Sequence, residues 1–387
     1  MESDDDAASV IRVTDYVHEG SGIHDAGFDI TSESEGPIFT DSGSSYHSMS
    51  TLQSQEVAEY FRSICGLAYQ SDENVPLVFP ADTTSDRLDV VLHLILRYCQ
   101  GGMNIPSAVD DMLRQGGVVG AGKGAKVLDL LTNSGTWVTE MASIYPTASF
   151  VSLDTKPLVP HEPHSRIKFE VYDLYAGIME QDSTFDLVYV RHGIFATKDF
   201  NALLRELHRV LRPGGFVVIV DLPLRVYEST NPPVPFRSPP RCVEGLQLIR
   251  AAWESQGVDT ATWDDLTERL DPSHPLWGNQ PPSPNEEPGT SKSLSATGSV
   301  RGFYGIRLHT ETVPLGSWSE GEVQQTIGVL MRMLAGYSWR SLAALMTVMG
   351  SKEDEAKSFV EEVMEEYAGI DKHRAFVKCL IWTARKI

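Results

Sequence analysis

The chain has 387 residues, 41% of them apolar, and a formal net charge of −21 at pH 7. This length fits one large α/β domain with additions, or two small domains. The negative charge argues against direct contact with nucleic acid and against adsorption to an anionic membrane. The four cysteines are scattered and form no metal-ligand spacing, so we expect reduced thiols and no metal site.

The start of the chain resembles neither a secretory signal nor an Arg-rich transit peptide, and no apolar run approaches the roughly 18–20 residues that span a bilayer. We therefore expect a cytoplasmic protein, with the nucleus as the alternative. Residues 1–50 contain 11 Asp and Glu against one Arg, and few apolar residues. Such a segment buries too little apolar surface to become ordered, which predicts a disordered acidic tail. A protein partner could bind there, although a solubilising role is the simpler interpretation.

The composition changes after residue 50. Apolar side chains recur at helical spacing in three stretches, at residues 56–65, 85–97 and 106–113. We predict that residues 51–124 form a helical N-terminal segment and that residues 125–387 form the main domain.

The main domain begins with short apolar runs that alternate with helical patterns. We predict strands at 127–131, 149–153, 168–172, 185–190 and 215–220, with the clearest helix at 199–211. This alternation is typical of right-handed crossovers and predicts an α/β fold with a doubly wound, mostly parallel sheet.

The alternation ends after residue 221. A proline-rich linker at 231–240 precedes helices predicted at 243–257 and 262–270, and residues 271–300 are predicted to be a disordered loop. Beyond the loop we predict a strand at 302–313, helices at 319–335 and 353–367, and a last strand at 375–385.

Residues 126–154 form a pattern of strand, tight turn, helix and strand that ends in an acid, Asp154, 19 residues after Gly135. In such a βαβ unit the turn and the helix N-terminus face a nucleoside, and the acid accepts the ribose hydroxyls. The turn has Leu131 and Asn133 where glycines are usual, and only Gly135 remains. Asparagine adopts the left-handed conformation more readily than other residues, so Leu131 is the larger departure.

Two further acids end or lie within neighbouring strands. We expect Asp129 to accept hydrogen bonds from the loop amides or simply to tie down the turn. Asp173 follows the third strand, where a carboxylate can accept from the exocyclic amine of a purine.

Arg191 and His192 end the fourth strand, at the edge where ligands collect in open α/β sheets. His192 is our candidate general base, because its unperturbed pKa lies near neutrality, although a structural histidine is equally consistent with the sequence. The pair of histidines at residues 161 and 164 is separated by a proline and indicates a loop, not a metal site.

Taken together, these stretches resemble the class I S-adenosylmethionine-dependent methyltransferases, and most of all the LaeA-like methyltransferases of fungi. The similarity extends from about residue 55 to the C-terminus. It is carried by ordered blocks: 80–89, 127–142, 169–173, 185–192, 207–215, 257–259, 313–318 and 385–386.

The resemblance implies a Rossmann-like, seven-stranded sheet with its last strand antiparallel. It also implies a cofactor, S-adenosyl-L-methionine, over the carboxyl ends of strands one to four, covered by the segment 51–124 and by a lid insertion at about 231–300. The implied cofactor-binding residues are Asp129, Leu131, Asn133, Gly135, Asp154, Asp173, Leu174 and Arg191. Catalysis would rest on His192.

The first functional hypothesis is a methyltransferase that acts on a small-molecule acceptor, at oxygen, in fungal secondary metabolism. The alternative is a catalytically degenerate regulator that keeps the fold and acts through protein partners, which Leu131, Asn133 and the acidic tail would suit. A nicotinamide-dependent oxidoreductase is disfavoured, because the turn lacks a Gly-x-Gly-x-x-Gly pattern.

Overall fold

The computed structural model describes residues 58–118, 124–157, 164–171, 174–278 and 300–387. The predicted acidic tail, Asp173, the histidine at 161 and most of the predicted loop at 271–300 lie outside these ranges. Among the helices of the described residues, none combines the length and the apolarity that crossing a bilayer requires.

The described residues contain eleven strands, numbered in chain order. They are β1 (Phe61–Ile64), β2 (Leu67–Gln70), β3 (Lys126–Leu130), β4 (Ser149–Asp154), β5 (Ile167–Val171), β6 (Phe185–Arg191), β7 (Leu211–Asp221), β8 (Val226–Glu228), β9 (Val234–Pro235), β10 (Phe303–Pro314) and β11 (Ala375–Lys386).

Nine α-helices accompany them in the same ranges. They are α1 (Thr83–Cys99), α2 (Ser107–Arg114), α3 (Thr136–Ile144), α4 (Phe200–Val210), α5 (Pro240–Ser255), α6 (Thr262–Leu270), α7 (Glu322–Ser338), α8 (Arg340–Val348) and α9 (Glu353–Tyr367).

The main sheet has the strand order β5-β4-β3-β6-β7-β11, with β10 on the far side of β11. Strands β3 to β7 run parallel to one another, whereas β11 runs antiparallel to both β7 and β10. All seven residues of β6 are buried, as expected for a central strand that is covered on both faces. The α/β fold with a mostly parallel sheet and an antiparallel last strand is therefore confirmed.

The sheet also contains two short strands that the sequence did not indicate. β8 pairs with the start of β11, and β9 pairs with β8, so the sheet has nine strands rather than seven. With three and two residues, these strands are too short to show any period in the sequence.

The helix predicted at 56–65 is wrong over the described residues. A 3₁₀ turn (Ala58–Tyr60) leads into β1, which pairs antiparallel with β2 in a separate hairpin. The two-residue loop between them is Cys65 and Gly66, both left-handed with φ of 51° and 80°. Two left-handed residues give the turn whose twist suits a hairpin, and Gly66 was the available signal.

The long helix α1 is held against α3 by a buried polar network. Glu140 of α3 accepts hydrogen bonds from His93 Nε2 at 3.0 Å and from Asn104 Nδ2 at 2.8 Å, and its carboxylate lies 3.2 Å from Arg97. These partners, with the His93 bond first, lower the pKa of Glu140. Because the Glu140 carboxylate of α3 binds side chains of α1, it fixes α1 above the carboxyl ends of the central strands.

Another buried carboxylate, that of Asp186 on β6, connects β6 to β7 and to the start of β3. It accepts hydrogen bonds from the amides of Val118 at 3.0 Å and Lys126 at 2.8 Å, and from Arg212 at 2.5 Å. Asp186 is fully buried, so each of these groups depends on it for a partner.

We expect Asp186→Ala to lower the free energy of unfolding by about 2–4 kcal/mol, since two backbone amides lose their acceptor. Urea denaturation followed by far-UV circular dichroism measures the change. Asp182→Asn is the matched control, because that carboxylate is 77% exposed and pairs with Arg209 at the surface. An Ala variant as stable as the control would show that Asp186 does not join these strands.

Candidate active site

The turn between β3 and α3 has the backbone conformation of a glycine-rich loop, although only one of its three left-handed residues is a glycine. Leu131, Asn133 and Gly135 all have positive φ, at 62°, 50° and 73°. For a leucine this conformation costs roughly 1–2 kcal/mol. The Leu131 amide donates to the carbonyl of Leu153 at 2.7 Å, and its own carbonyl accepts from Asn133 Nδ2 at 3.0 Å. Tertiary contacts therefore hold the leucine where glycine would be unstrained.

Asp154, at the end of β4, braces the same turn. Its Oδ2 accepts from the Asn133 amide at 2.9 Å, and its Oδ1 accepts from the amides of Thr155 at 2.8 Å and Lys156 at 3.3 Å. Burial raises the pKa of Asp154, and the charge of Lys156 opposes this. The side chain is 2% exposed, so it is not the exposed strand-end acid that would have been its simplest alternative.

Asp89 of α1 is a second carboxylate on the turn, and it was not among the site residues predicted from the sequence. Its Oδ2 accepts from both the amide of Ser134, at 3.2 Å, and the hydroxyl of Ser134, at 2.5 Å. The same oxygen lies 3.8 Å from Arg191 Nη2. The available signal was an acid on the apolar side of a helix between Leu88 and Leu92, where Asp is rarely buried without a partner.

Arg191 and Asp129 lie beneath the turn. Arg191 is 1% exposed and donates to the Thr132 carbonyl at 3.1 Å. Burial lowers its pKa, but the charges of Asp89 and Asp129 outweigh burial, and the pKa of Arg191 is raised. Asp129 accepts from the Ser152 hydroxyl at 2.9 Å, on the neighbouring strand. The expected hydrogen bonds from loop amides to Asp129 are not among those of the described residues.

His192 follows β6 and faces Asp221 at the end of β7. His192 is left-handed, with φ of 55°, and its amide donates to the Val220 carbonyl at 3.0 Å. Its Nδ1 lies 3.4 Å from Asp221 Oδ1. Asp221 is fully buried, and neither its oxygens nor the imidazole nitrogens make a hydrogen bond within the described residues. A buried carboxylate without a hydrogen bond is unusual, and this makes the pair a candidate for a functional role.

The carboxyl ends of the parallel strands open into a cavity of about 280 Å³. It extends from the turn to α5 and α7. Aromatic rings line it beside His192: Phe195 lies 6.0 Å from the imidazole and 4.6 Å from Trp253, ring centre to ring centre. The cavity thus joins a charged end under the turn to an apolar end.

The structure brings five of the selected residues to the wall of this cavity. They are Leu131, Asn133, Asp154, Arg191 and His192. Three others lie elsewhere: Asp129 is behind the turn, Gly135 caps the N-terminus of α3, and Leu174 is buried in a 3₁₀ turn. Asp173 lies outside the described residues. Ligand contacts for all of these residues stay predictions.

The pKa of Asp129 predicts how the stability of the protein depends on pH. Burial raises the pKa of Asp129 to about 6, despite the opposing charge of Arg191. The folded state therefore holds a proton that the unfolded state has lost, and this residue's contribution to stability falls as pH rises from about 4 to about 6. The free energy of unfolding of Asp129→Asn, relative to that of the wild-type protein, should therefore rise by about 2–3 kcal/mol over that range.

Urea titrations of both proteins at several pH values test this, with Asp111→Asn, an exposed carboxylate on α2, as the control. A pH-independent difference between wild type and Asp129→Asn would contradict a raised pKa.

A family model described as a methyltransferase domain matches residues 118–219. Methyltransferase pytC of Aspergillus terreus is 26% identical over 304 residues, covering 77% of this chain and 80% of that protein. The secondary metabolism regulator laeA of Monascus pilosus is 25% identical over 267 residues, covering 68% and 64%. Phosphoethanolamine N-methyltransferase 2 of Haemonchus contortus, solved with S-adenosyl-L-methionine, is 14% identical, with a TM-score of 0.37 over 76% of this chain and 56% of that one. These comparisons support a class I S-adenosylmethionine-dependent methyltransferase that is LaeA-like.

Proposed function

We propose that the chain is an active enzyme that transfers a methyl group from S-adenosyl-L-methionine to a hydroxyl of a small-molecule acceptor, in secondary metabolism. One observation carries this proposal: Leu131 and Asn133 keep the left-handed backbone of a glycine-rich turn, in one cavity with His192. The loss of two glycines has therefore not changed the shape of the turn beside the cavity. A turn that keeps this shape supports the enzyme over the degenerate alternative.

The residues around the turn fit a cationic nucleoside cofactor. A carboxylate has about four acceptor positions, and three backbone amides use Asp154, which leaves capacity for a ribose hydroxyl. Asp89 and Asp154 lie at this end of the cavity together with Lys156 and Arg191. The carboxylates would stabilise the sulfonium and ammonium of the cofactor, and the cations would stabilise its carboxylate. When bound, S-adenosyl-L-methionine supplies an electrophilic methyl group and leaves as a neutral thioether.

His192 is the proposed base that accepts the proton of the acceptor hydroxyl, and Asp221 orients it. The protonated imidazole would be stabilised by the buried carboxylate 3.4 Å away. Both imidazole nitrogens are buried, so the 18% of the side chain that is exposed is carbon surface. We propose that Nδ1 keeps facing Asp221 and that a small shift of the ring brings Nε2 to the acceptor hydroxyl.

Cofactor binding is the first test of the proposal. Calorimetric titration with S-adenosyl-L-methionine, and separately with S-adenosylhomocysteine, should give dissociation constants in the micromolar range. Asp154→Asn should weaken both by about tenfold or more, because a neutral amide is a poorer acceptor for the ribose hydroxyls. Asp182→Asn, with its exposed side chain, should leave them unchanged.

Leu131→Gly separates the two functional hypotheses. Since Leu131 is already left-handed, glycine should change cofactor affinity by less than about tenfold. Binding that appears only in Leu131→Gly would identify the natural protein as degenerate and would overturn the proposal.

Catalysis is tested with a panel of phenols, carboxylic acids and amines and isotopically labelled S-adenosyl-L-methionine. On any acceptor found, His192→Gln should lower kcat by about 100- to 10,000-fold without changing the affinity for S-adenosylhomocysteine. Asp221→Asn should lower kcat less and shift its pH profile. His309→Gln is the control, because that histidine is 59% exposed on β10. An unchanged kcat in His192→Gln would exclude it as the base.

A further inference from the structure

The apolar end of the cavity lies beyond His192, on the side away from the turn. We call it the acceptor chamber and define it by six wall residues, from the chain after β7, from α5 and from α7: Leu222, Leu224, Leu246, Ile249, Trp253 and Met331. We propose that this chamber selects an uncharged, largely apolar acceptor that carries its nucleophilic hydroxyl at the end facing His192. This inference rests on the proposed function and names the substrate class for the same site.

The charges of the cavity are all at the other end. The acidic and basic residues of its wall, Asp89, Asp154, Lys156 and Arg191, surround the turn between β3 and α3, and none of the six chamber residues is acidic or basic. An ionised carboxylate or amine placed in the chamber would lose its hydration without gaining a counter-ion. That loss is large for an unpaired charge in an apolar site.

The hydroxyl groups beside the chamber are already engaged within the protein. Tyr337 donates to Asp82 at 2.7 Å, and Tyr367 donates to the Arg332 carbonyl at 2.7 Å. Ser338 and Ser341 donate to carbonyl oxygens one turn or less before them, at 3.1 and 2.6 Å. The indole N–H groups of Trp253 and Trp339, two residues that line the cavity, are buried and make no hydrogen bond within the described residues. A second, neutral hydroxyl on an acceptor could therefore find a donor for its oxygen there.

The wall next to His192 suits a planar apolar ring. Trp253 contacts Phe195 edge to face at 4.6 Å and Phe79 at 6.2 Å, so the rings present faces and edges along one side of the cavity. Aromatic ligands gain from such contacts beyond the area they bury. An aromatic alcohol would thus set its ring on this wall and its hydroxyl at the imidazole.

Three naphthalene probes that differ only at the far end of the ring test the chamber. They are 2-naphthol, 2,6-dihydroxynaphthalene and 6-hydroxy-2-naphthoate, titrated calorimetrically into the full chain at neutral pH. We expect 2-naphthol to bind, the second hydroxyl to change the affinity by less than about threefold, and the carboxylate to weaken binding by more than about tenfold. Equal or tighter binding of 6-hydroxy-2-naphthoate to the wild-type protein would overturn the proposal.

A charge introduced into the chamber should reverse this order. Leu246 is half-buried on α5, so Leu246→Lys keeps a long apolar stem and adds a counter-ion. This variant should bind 6-hydroxy-2-naphthoate at least as well as 2-naphthol. Val329→Lys is the matched control: Val329 is 51% exposed on α7, outside the cavity wall, and the wild-type order should persist.

Leu246→Trp provides a second test if the lysine variant does not fold. The larger ring fills the chamber and should abolish 2-naphthol binding, whereas Val329→Trp should not. Naphthol binding that is unchanged in a folded Leu246→Trp would place the probe elsewhere and overturn the proposal.

Titration of the same proteins with S-adenosylhomocysteine separates the two claims. If S-adenosylhomocysteine binds and 2-naphthol does not, the chamber inference fails and the methyltransferase proposal stands. If the naphthols bind in the expected order and S-adenosylhomocysteine does not, the proposed function fails and the selectivity of the chamber stands.

Discussion

The site depends on one constraint, which is that the chain must leave β3 through left-handed residues in order to start α3 above the sheet. The backbone at Leu131 and Asn133 meets this demand without glycine. It does so because buried carboxylates from two other elements hold the turn: Asp154 from β4 and Asp89 from α1. Turn, strand end and covering helix are therefore one unit, and a change in any of the three alters the end of the cavity beside the turn.

This unit also sets the electrostatics of the cavity. The carboxylates that hold the turn, those of Asp89 and Asp154, lie at the carboxyl ends of β3 and β4 together with the cations of Lys156 and Arg191. The opposite end is lined by apolar side chains from α5, from α7 and from the chain after β7. A charged molecule and a neutral apolar one can thus occupy adjacent parts of the same cavity, with His192 between them.

Periodicity predicted the centre of the sheet well, because the central strands are buried on both faces and each apolar run is bounded by a turn. The order of those runs along the chain predicted the α/β class. The predicted helices also agree with the structure: α1, α2, α4, α6 and α9 lie within a few residues of their predicted bounds. The hairpin of β1 and β2 was missed because four-residue strands do not distinguish a period of two from one of 3.6. Helix α8 was missed because it follows α7 after a single residue, Trp339, without a break in composition.

The sequence alone determined which residues would meet at the carboxyl edge of the sheet, because the carboxyl ends of parallel strands all lie along one edge. Asp154, Arg191 and His192 were found in this way. Tertiary structure decided what each of them contacts. It turned Asp129 toward Ser152, and it brought Asp89 and Asp221 into the site from positions 45 residues before Ser134 and 29 residues after His192. A local pattern carries no information about such distant partners, because burial and pairing are properties of the packed chain.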